Sequence, residues 1–458
     1  MGHIQAIFAV GTLCLVTVAC GASSTSKVAF DGVDAKAAEM LKGLSPGDLE
    51  TGWAPPPDQS NQYADDERAA ELGQRWFFDK GFSGQLLDAD NDGDPETTLG
   101  KQGETGRVAC SGCHLPEAGF SDTRSRGRQI SLGTAWGKRR TPSLLDIGHA
   151  RLIMWDGRHD TLYNQVFGPI EADFEMNSSR LFVAQRIWLE YRAEYEEIFG
   201  PLPDFADTER FPRLSAKETG CQRSVSMGQP RCRGMPGDKA EYDGLSASDQ
   251  REVTRVVVNF GKAIGAYERK LSCGSSRFDA WAHGEPDALS DAEKRGAELF
   301  VGRGQCVKCH SGPLMSDQRF HNVGLIPAVV AVAFIDLDDR GAEEGLAAAL
   351  TDPLNVRGIY SDGDDGRLPK KVTPEMAGAF RTPTLRCVSQ RPTFMHTGQV
   401  SSLKATVQHF NRPPGGSLIG RSEVSALGLS DGEIEDLVAF LVSLDGPGPD
   451  KALKREPR

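Results

Sequence analysis

The order of apolar and polar positions predicts a chain built mostly of helices. From Asp65, the run DERAAELGQRWFFD sets its apolar residues at helical spacing, and Gly81 to Gly106 then breaks the pattern as a loop. The same order returns later. Ser290, with Glu293 as reciprocal partner, caps a helix through DAEKRGAELF, and a short glycine loop follows it. Ala184 to Phe199 and Val253 to Leu271 read as amphipathic helices, and Ser430 with Glu433 caps another over Ile434 to Leu444. Period-two runs are sparse, so the expected fold class is mainly α.

Punctuation supplies the boundaries. Gly43 to Ser60, rich in Pro, Gly and acidic residues, reads as linker, and Pro201 to Asp243 reads as an inserted loop. Residues 1–20 contain no Asp, Glu, Lys or Arg, and Ile4 to Val18 is apolar but short for a membrane span, which is the pattern of an export signal. Thr17-Val18-Ala19-Cys20 resembles a bacterial lipoprotein processing site, which would leave a lipid tether on Cys20; a plain signal-peptidase site nearby is the alternative. The expected division is therefore 1–20 signal, 21–64 linker, 65–285 first domain with inserted loop 201–243, 286–445 second domain and 446–458 frayed tail. The terminal helix, 430–445, is placed to pack back on the first domain. A chain of 458 residues has room for two such units.

The charge of −12 argues against a nucleic-acid partner and suits a basic protein partner. Of ten cysteines, Cys14 and Cys20 fall in the export region. Cys221 and Cys232 can pair across a short loop, and Cys273 and Cys387 can pair or stay buried. The other four form Cys110-Ser-Gly-Cys113-His114 and Cys306-Val-Lys-Cys309-His310, each following one of the two helix-loop units. In this spacing two thioethers can attach a haem while the next residue, His, binds its iron. One such motif could be a redox or zinc motif; two in an exported chain, with no second Cys/His pair nearby, point to two covalent c-type haems. Asp88, Asp90, Asp92, Gly93 and Asp94 have the spacing of a calcium loop, but Leu99 stands where its bidentate Glu belongs, so a solvated acidic loop is an equal reading.

The segments CSGCHLPEAGFSD, RRTPSLLDIGHARLIMWDGRHDTLYNQVFGPIEADFEM, LSCGSSRFDAWAHGE, CVKCHSGPLMSDQRFHNVG, FRTPTLRCV and FMHTGQVSSL, in that order, resemble the bacterial di-haem cytochrome c peroxidase and MauG-like family from about Ala69 to Leu444. The resemblance implies two cytochrome c-like haem domains packed face to face, with loop insertions. It also implies that the first haem, on His114, reacts with peroxide and that the second, on His310, takes electrons from a donor such as a small cytochrome c or cupredoxin. Trp155 matches a tryptophan between the haems. Gln165 and Glu175 match the distal Gln and Glu, with Pro169 in the same segment. A carboxyl over an open haem face can move a proton between the two oxygens of peroxide, and an amide can orient them. A calcium ion between the domains and a homodimer are both compatible with the resemblance.

Two positions depart from the family pattern. Thr134, in SLGTAW, stands where many members have a His that caps the first haem, so the first site is expected to be open unless His149 or His159 intrudes. Phe410 stands where the second haem's far ligand, Met or Tyr, is expected, with His409, Met395 and His396 nearby. Cys387 replaces a frequent Asn. The sequence thus supports a peroxidase first. A MauG-like oxidase of a protein or organic substrate comes second, favoured by Thr134, and a non-catalytic electron carrier third.

Overall fold

The computed structural model describes Met1, Phe30 and residues 33–124, 131–217, 240–325 and 338–457. Six of its helices frame two similar units: α1 (Ala35–Lys42), α2 (Glu67–Phe78), α3 (Ala247–Glu268), α4 (Asp291–Val301), α5 (Leu403–Asn411) and α6 (Asp431–Val442). In each unit the helix before the CxxCH motif crosses a later helix over a glycine. A Cβ on Gly73 of α2 would lie 2.0 Å from Ala263 O of α3, and one on Gly296 of α4 would lie 2.0 Å from Asp436 O of α6. Only a residue without a side chain lets the two backbones approach this closely.

Around the first crossing, Trp76 stacks on Phe260 and Phe77 meets Tyr267 and Phe120, all buried. Around the second, Phe440 packs edge-on to Phe278 and Phe300, over buried Trp281 and Leu444. The capping boxes expected at Ser290 and Ser430 are both formed, with Glu293 and Glu433 returning the bond to the cap backbone. Among the described residues the named strands are β1 (Phe320–His321) and β2 (Phe380–Arg381), paired antiparallel with Phe320 opposite Arg381. The fold is mainly α, as expected.

Several segments differ from the expectation, each for a visible reason. The stretch read as linker holds α1, whose Leu41 is buried with Leu44, Phe30 and Trp281 in the second unit's core. Helix α6 packs within its own unit, across α4, because Gly296 opens the crossing there. The tail is what returns to the first unit: Gln74 Nε2 donates to Ala452 O and Arg455 O, and Tyr267 Oη donates to Leu453 O at 2.5 Å. The first part of the inserted loop is folded too, with Phe205 and Phe211 buried against each other and Gln185 Nε2 donating to Pro212 O. The long amphipathic stretch 184–199 is two helices, Arg180–Glu190 and Arg192–Phe199, broken at Tyr191. Cys273 and Cys387 form a disulfide, Cα to Cα 5.8 Å, tying the end of the first unit to the second. Cys221, Cys232, Cys20 and the rest of the export signal after Met1 lie outside the described residues.

Candidate active site

Each CxxCH motif sits on a short helical turn, Cys110–Cys113 in the first and Cys306–Lys308 in the second. The histidine that follows is held the same way in both. His114 Nδ1 lies 3.1 Å from Phe120 O, and His310 Nδ1 lies 2.8 Å from Met315 O. A backbone carbonyl on Nδ1 fixes that nitrogen as the N–H and leaves Nε2 with its lone pair for iron. Burial pushes both rings down to about 4, so each imidazole is neutral, the form that binds metal.

Each histidine opens onto its own cavity, of about 360 Å³ at His114 and about 480 Å³ at His310, lined largely by apolar side chains. Cys110, Cys113, Cys306 and Cys309 have no disulfide and line these same cavities. Two thiols, a neutral imidazole and an apolar slot on one wall are the donor set of a c-type haem, and here the set occurs twice.

The cavity at His114 is also lined by Gln165, Pro169 and Glu175, together with Arg158, Phe174 and Met176. The short helix Leu162–Gln165 begins at Thr161 with a capping box through Asn164, which fixes where Gln165 points. Its amide Nε2 donates to Met154 Sδ at 3.6 Å. The Glu175 carboxyl is held above the usual carboxylate range by burial, opposed by the nearby Arg158 charge. Thr134 is fully buried, with its hydroxyl on Asp173 O and its N–H on Glu175 O, so it braces the Glu175 loop and does not cap the iron. His149 bonds Trp53 O, and His159 sits 3.9 Å from Asp352; neither lines the cavity.

Trp155 lines both cavities and is locked by both units. Its indole Nε1 donates to Arg140 O at 3.0 Å, and its carbonyl accepts the Arg381 N–H at 2.8 Å. In the second cavity Phe410 forms part of the wall, with Met395 and His396. His409 turns away to place Nε2 2.9 Å from Val323 O, and His396 stacks on Phe380 at 3.6 Å. Residues the sequence did not single out also line the cavities: Glu268, Arg139, Arg140, Arg381 and Arg391. Arg139, Arg140 and Arg381 lie inside segments that carry the family resemblance, and Glu268 lies on the amphipathic stretch Val253 to Leu271, but nothing in their spacing marked them individually.

At the acidic loop, Asp88 and Asp92 accept the N–H groups of Asp90 and Asp94, and Asp90 accepts Trp136 Nε1 at 2.7 Å. Among the described residues no three His, Cys, Asp or Glu side chains converge as a metal site.

The sequence and the fold are similar to those of known proteins. Residues 67–215 match the model of the di-haem cytochrome c peroxidase family. The chain is 28% identical over 340 residues to a methylamine utilization protein MauG of Methylorubrum extorquens, covering 74% of this chain and 73% of that protein. It is 27% identical over 351 residues to the cytochrome-c peroxidase IdrP1 of Denitromonas iodatirespirans, covering 75% and 78%. The diheme peroxidase BthA of Burkholderia thailandensis superposes with a TM-score of 0.55 at 22% identity, covering 86% of this chain and 90% of that one, which shows the shared fold. Residues 67–215 are thus similar to the di-haem cytochrome c peroxidase family, and the likeness to MauG and to cytochrome-c peroxidases extends over 74% to 75% of the chain.

Proposed function

We propose that this protein is an oxidoreductase that reduces hydrogen peroxide to water at the His114 site. Electrons would come from an external donor such as a small cytochrome c or cupredoxin and enter at the His310 site. The observation that carries the reading is the difference between the two cavity linings: Gln165 and Glu175 line the first cavity, whereas Phe410 is part of the lining of the second. The haems would supply the iron and the electrons. The chain supplies the rest. Glu175 takes a proton from one oxygen of peroxide and returns it to the departing one, and burial, which holds its carboxyl above the ordinary range, makes it a better proton acceptor than a free carboxylate. Gln165 orients the substrate by hydrogen bonding. Trp155, which lines both cavities and bonds to both units, would carry electrons between them.

Thr134 supports a second reading, an oxidase of a protein or organic substrate, because its side chain braces the loop and leaves the first site open without prior reduction. Export is part of the same proposal, with a periplasmic protein held at the membrane by lipid on Cys20. The Cys273–Cys387 disulfide supports an oxidising compartment.

The deciding experiment is peroxide turnover with reduced cytochrome c or a dye donor, with and without prior reduction of the holoprotein, beside the ferric absorption spectrum. Turnover without prior reduction and one high-spin haem are expected. Two low-spin ferric haems, with a strict need for pre-reduction, would remove the open-site proposal.

A further inference from the structure

Between the two cavities lies a seam that holds three guanidinium groups and no carboxylate paired to any of them among the described residues. Arg140 and Arg381 line both cavities, while Arg391 lines the second and the cleft of about 40 Å³ between them. Arg140 and Arg391 are only 4% and 6% exposed. Their bonds go to neutral acceptors: Arg140 to Met395 O and Ser121 Oγ, Arg381 to Met154 O, and Arg391 to Arg386 O. Arg391 Nε has no hydrogen-bond partner among the described residues.

Elsewhere the chain neutralises its buried arginines. Arg139 pairs with Asp339 at 2.6 Å and Asp156 at 2.5 Å, and Arg386 pairs with Asp279 at 2.8 Å. The seam is therefore selective. Burial depresses all three groups, Arg140 to about 9 and Arg381 and Arg391 to about 10; for Arg140 the charge of Arg391 adds to the effect and that of Asp122 opposes it, and Asp146 and Asp445 oppose it for Arg391 without forming an ion pair. A buried cation left unpaired is costly, so this arrangement is built to receive anions. A c-type haem brings two carboxylates, its propionates, and the planar guanidinium fork suits a carboxylate.

We propose that Arg140, Arg381 and Arg391 form a shared seat for propionates of both haems, and that their fixed positive charge takes the place of a divalent cation between the two units. The calcium ion that the family resemblance allows fits poorly here: the cleft offers one carboxylate, Asp146, whose Oδ1 already accepts from Ser272 Oγ and the Cys273 N–H, and a divalent cation would meet three like charges in a low-dielectric space. Because the seam touches both haems, it sets their electrostatic environment together, favouring the reduced state of each.

The inference rests on the two covalent haems assigned above, so the test begins by counting haems per chain as the pyridine haemochrome. Fewer than two would sink that assignment rather than this one. Holoprotein is then treated with EGTA, desalted, analysed for calcium and titrated potentiometrically. Absence of stoichiometric calcium and an unchanged spectrum are expected. Arg381→Gln should keep both haems yet move both midpoint potentials negative, Arg391→Gln should move chiefly the second, and Arg381→Lys should restore much of the loss. Stoichiometric calcium whose removal alters the spectrum would overturn the proposal, as would an Arg381→Gln protein with both potentials in place. If Arg381→Gln does not fold, the chelation arm on the unmodified protein still decides.

Discussion

The two haem units share a plan and differ in what faces the haem. In both, a capped helix crosses a partner over one glycine, and a Cys-x-x-Cys turn presents a histidine whose Nδ1 is tied to a nearby carbonyl. The near side of each cavity is thus nearly the same. The far sides are not. The first carries Glu175 and Gln165, and Glu268 also lines that cavity; the second carries Phe410, with Glu423 already paired to His321 at 2.7 Å. Attachment chemistry is a property of the shared scaffold, and reactivity is added by the opposing loops, which is where a fold used twice can be made to do two things.

The sharpest way to break the comparison is to remove the proposed proton carrier. Glu175→Gln keeps the size and hydrogen-bonding capacity of the side chain but cannot exchange a proton, so peroxide turnover should fall by about 10²–10⁴-fold, the usual range for a general acid–base group. Haem content and the absorption spectrum should stay as they are. A variant within twofold of the unmodified protein in a stopped-flow peroxide assay would mean that the two far walls do not divide the labour as described.

Glu268 gives the first unit a pH dependence of its own. Burial alone raises its carboxyl from 4.5 to about 8. The folded protein therefore holds a proton that the unfolded chain releases above about 4.5. The stability linked to that proton is fully present below the unfolded value and is lost as pH rises towards about 8. One proton sets a ceiling of about 1.4 kcal/mol per pH unit on the slope. Denaturant melts between pH 5 and 8 should show this decline, and Glu268→Gln should flatten it; an unchanged slope would remove Glu268 as its source.

The shared half of the comparison is tested at the crossings. Gly73→Ala and Gly296→Ala each push a Cβ into a backbone carbonyl, and backbone cannot swing aside as a side chain can. Each should cost about 1–3 kcal/mol in global stability, read as a fall in the melting temperature. If only one of the two is destabilising, the units are less alike than their crossings suggest.

Much of the shared plan was legible because it is local. The CxxCH spacing, the Ser290 and Ser430 capping boxes and the helix before each motif all lie within a few residues, and all are formed. The features left open or missed join distant residues: the Cys273–Cys387 bond, offered beside simple burial, spans 114 positions, and Gln74 meets a tail 378 positions away. Helix α1 looked like linker because its cover, the second unit's core, is far along the chain. The arginine seam was illegible for another reason. In sequence an arginine reads as surface, and only the folded arrangement shows that Arg140 and Arg391 are buried without carboxylates.

The last test sharpens the far wall of the second cavity. Phe410 cannot coordinate iron, and His409 beside it is committed to Val323 O, so the expected far ligand of the second haem is missing at this position. Phe410→Met offers a thioether from the same backbone site on α5, with little change in volume. If Phe410 stands over the second iron, the variant should convert that haem alone to a Met/His low-spin spectrum and raise its potential, leaving the first haem's bands in place. Peroxide turnover should change only through the rate of electron supply. A spectrum that does not move would place Phe410 away from the iron and shift attention to Met395 and His396, the other potential ligands on that wall. A change in the first haem's bands instead would show that the two cavities are coupled through Trp155 and the seam, and that the far walls cannot be altered independently.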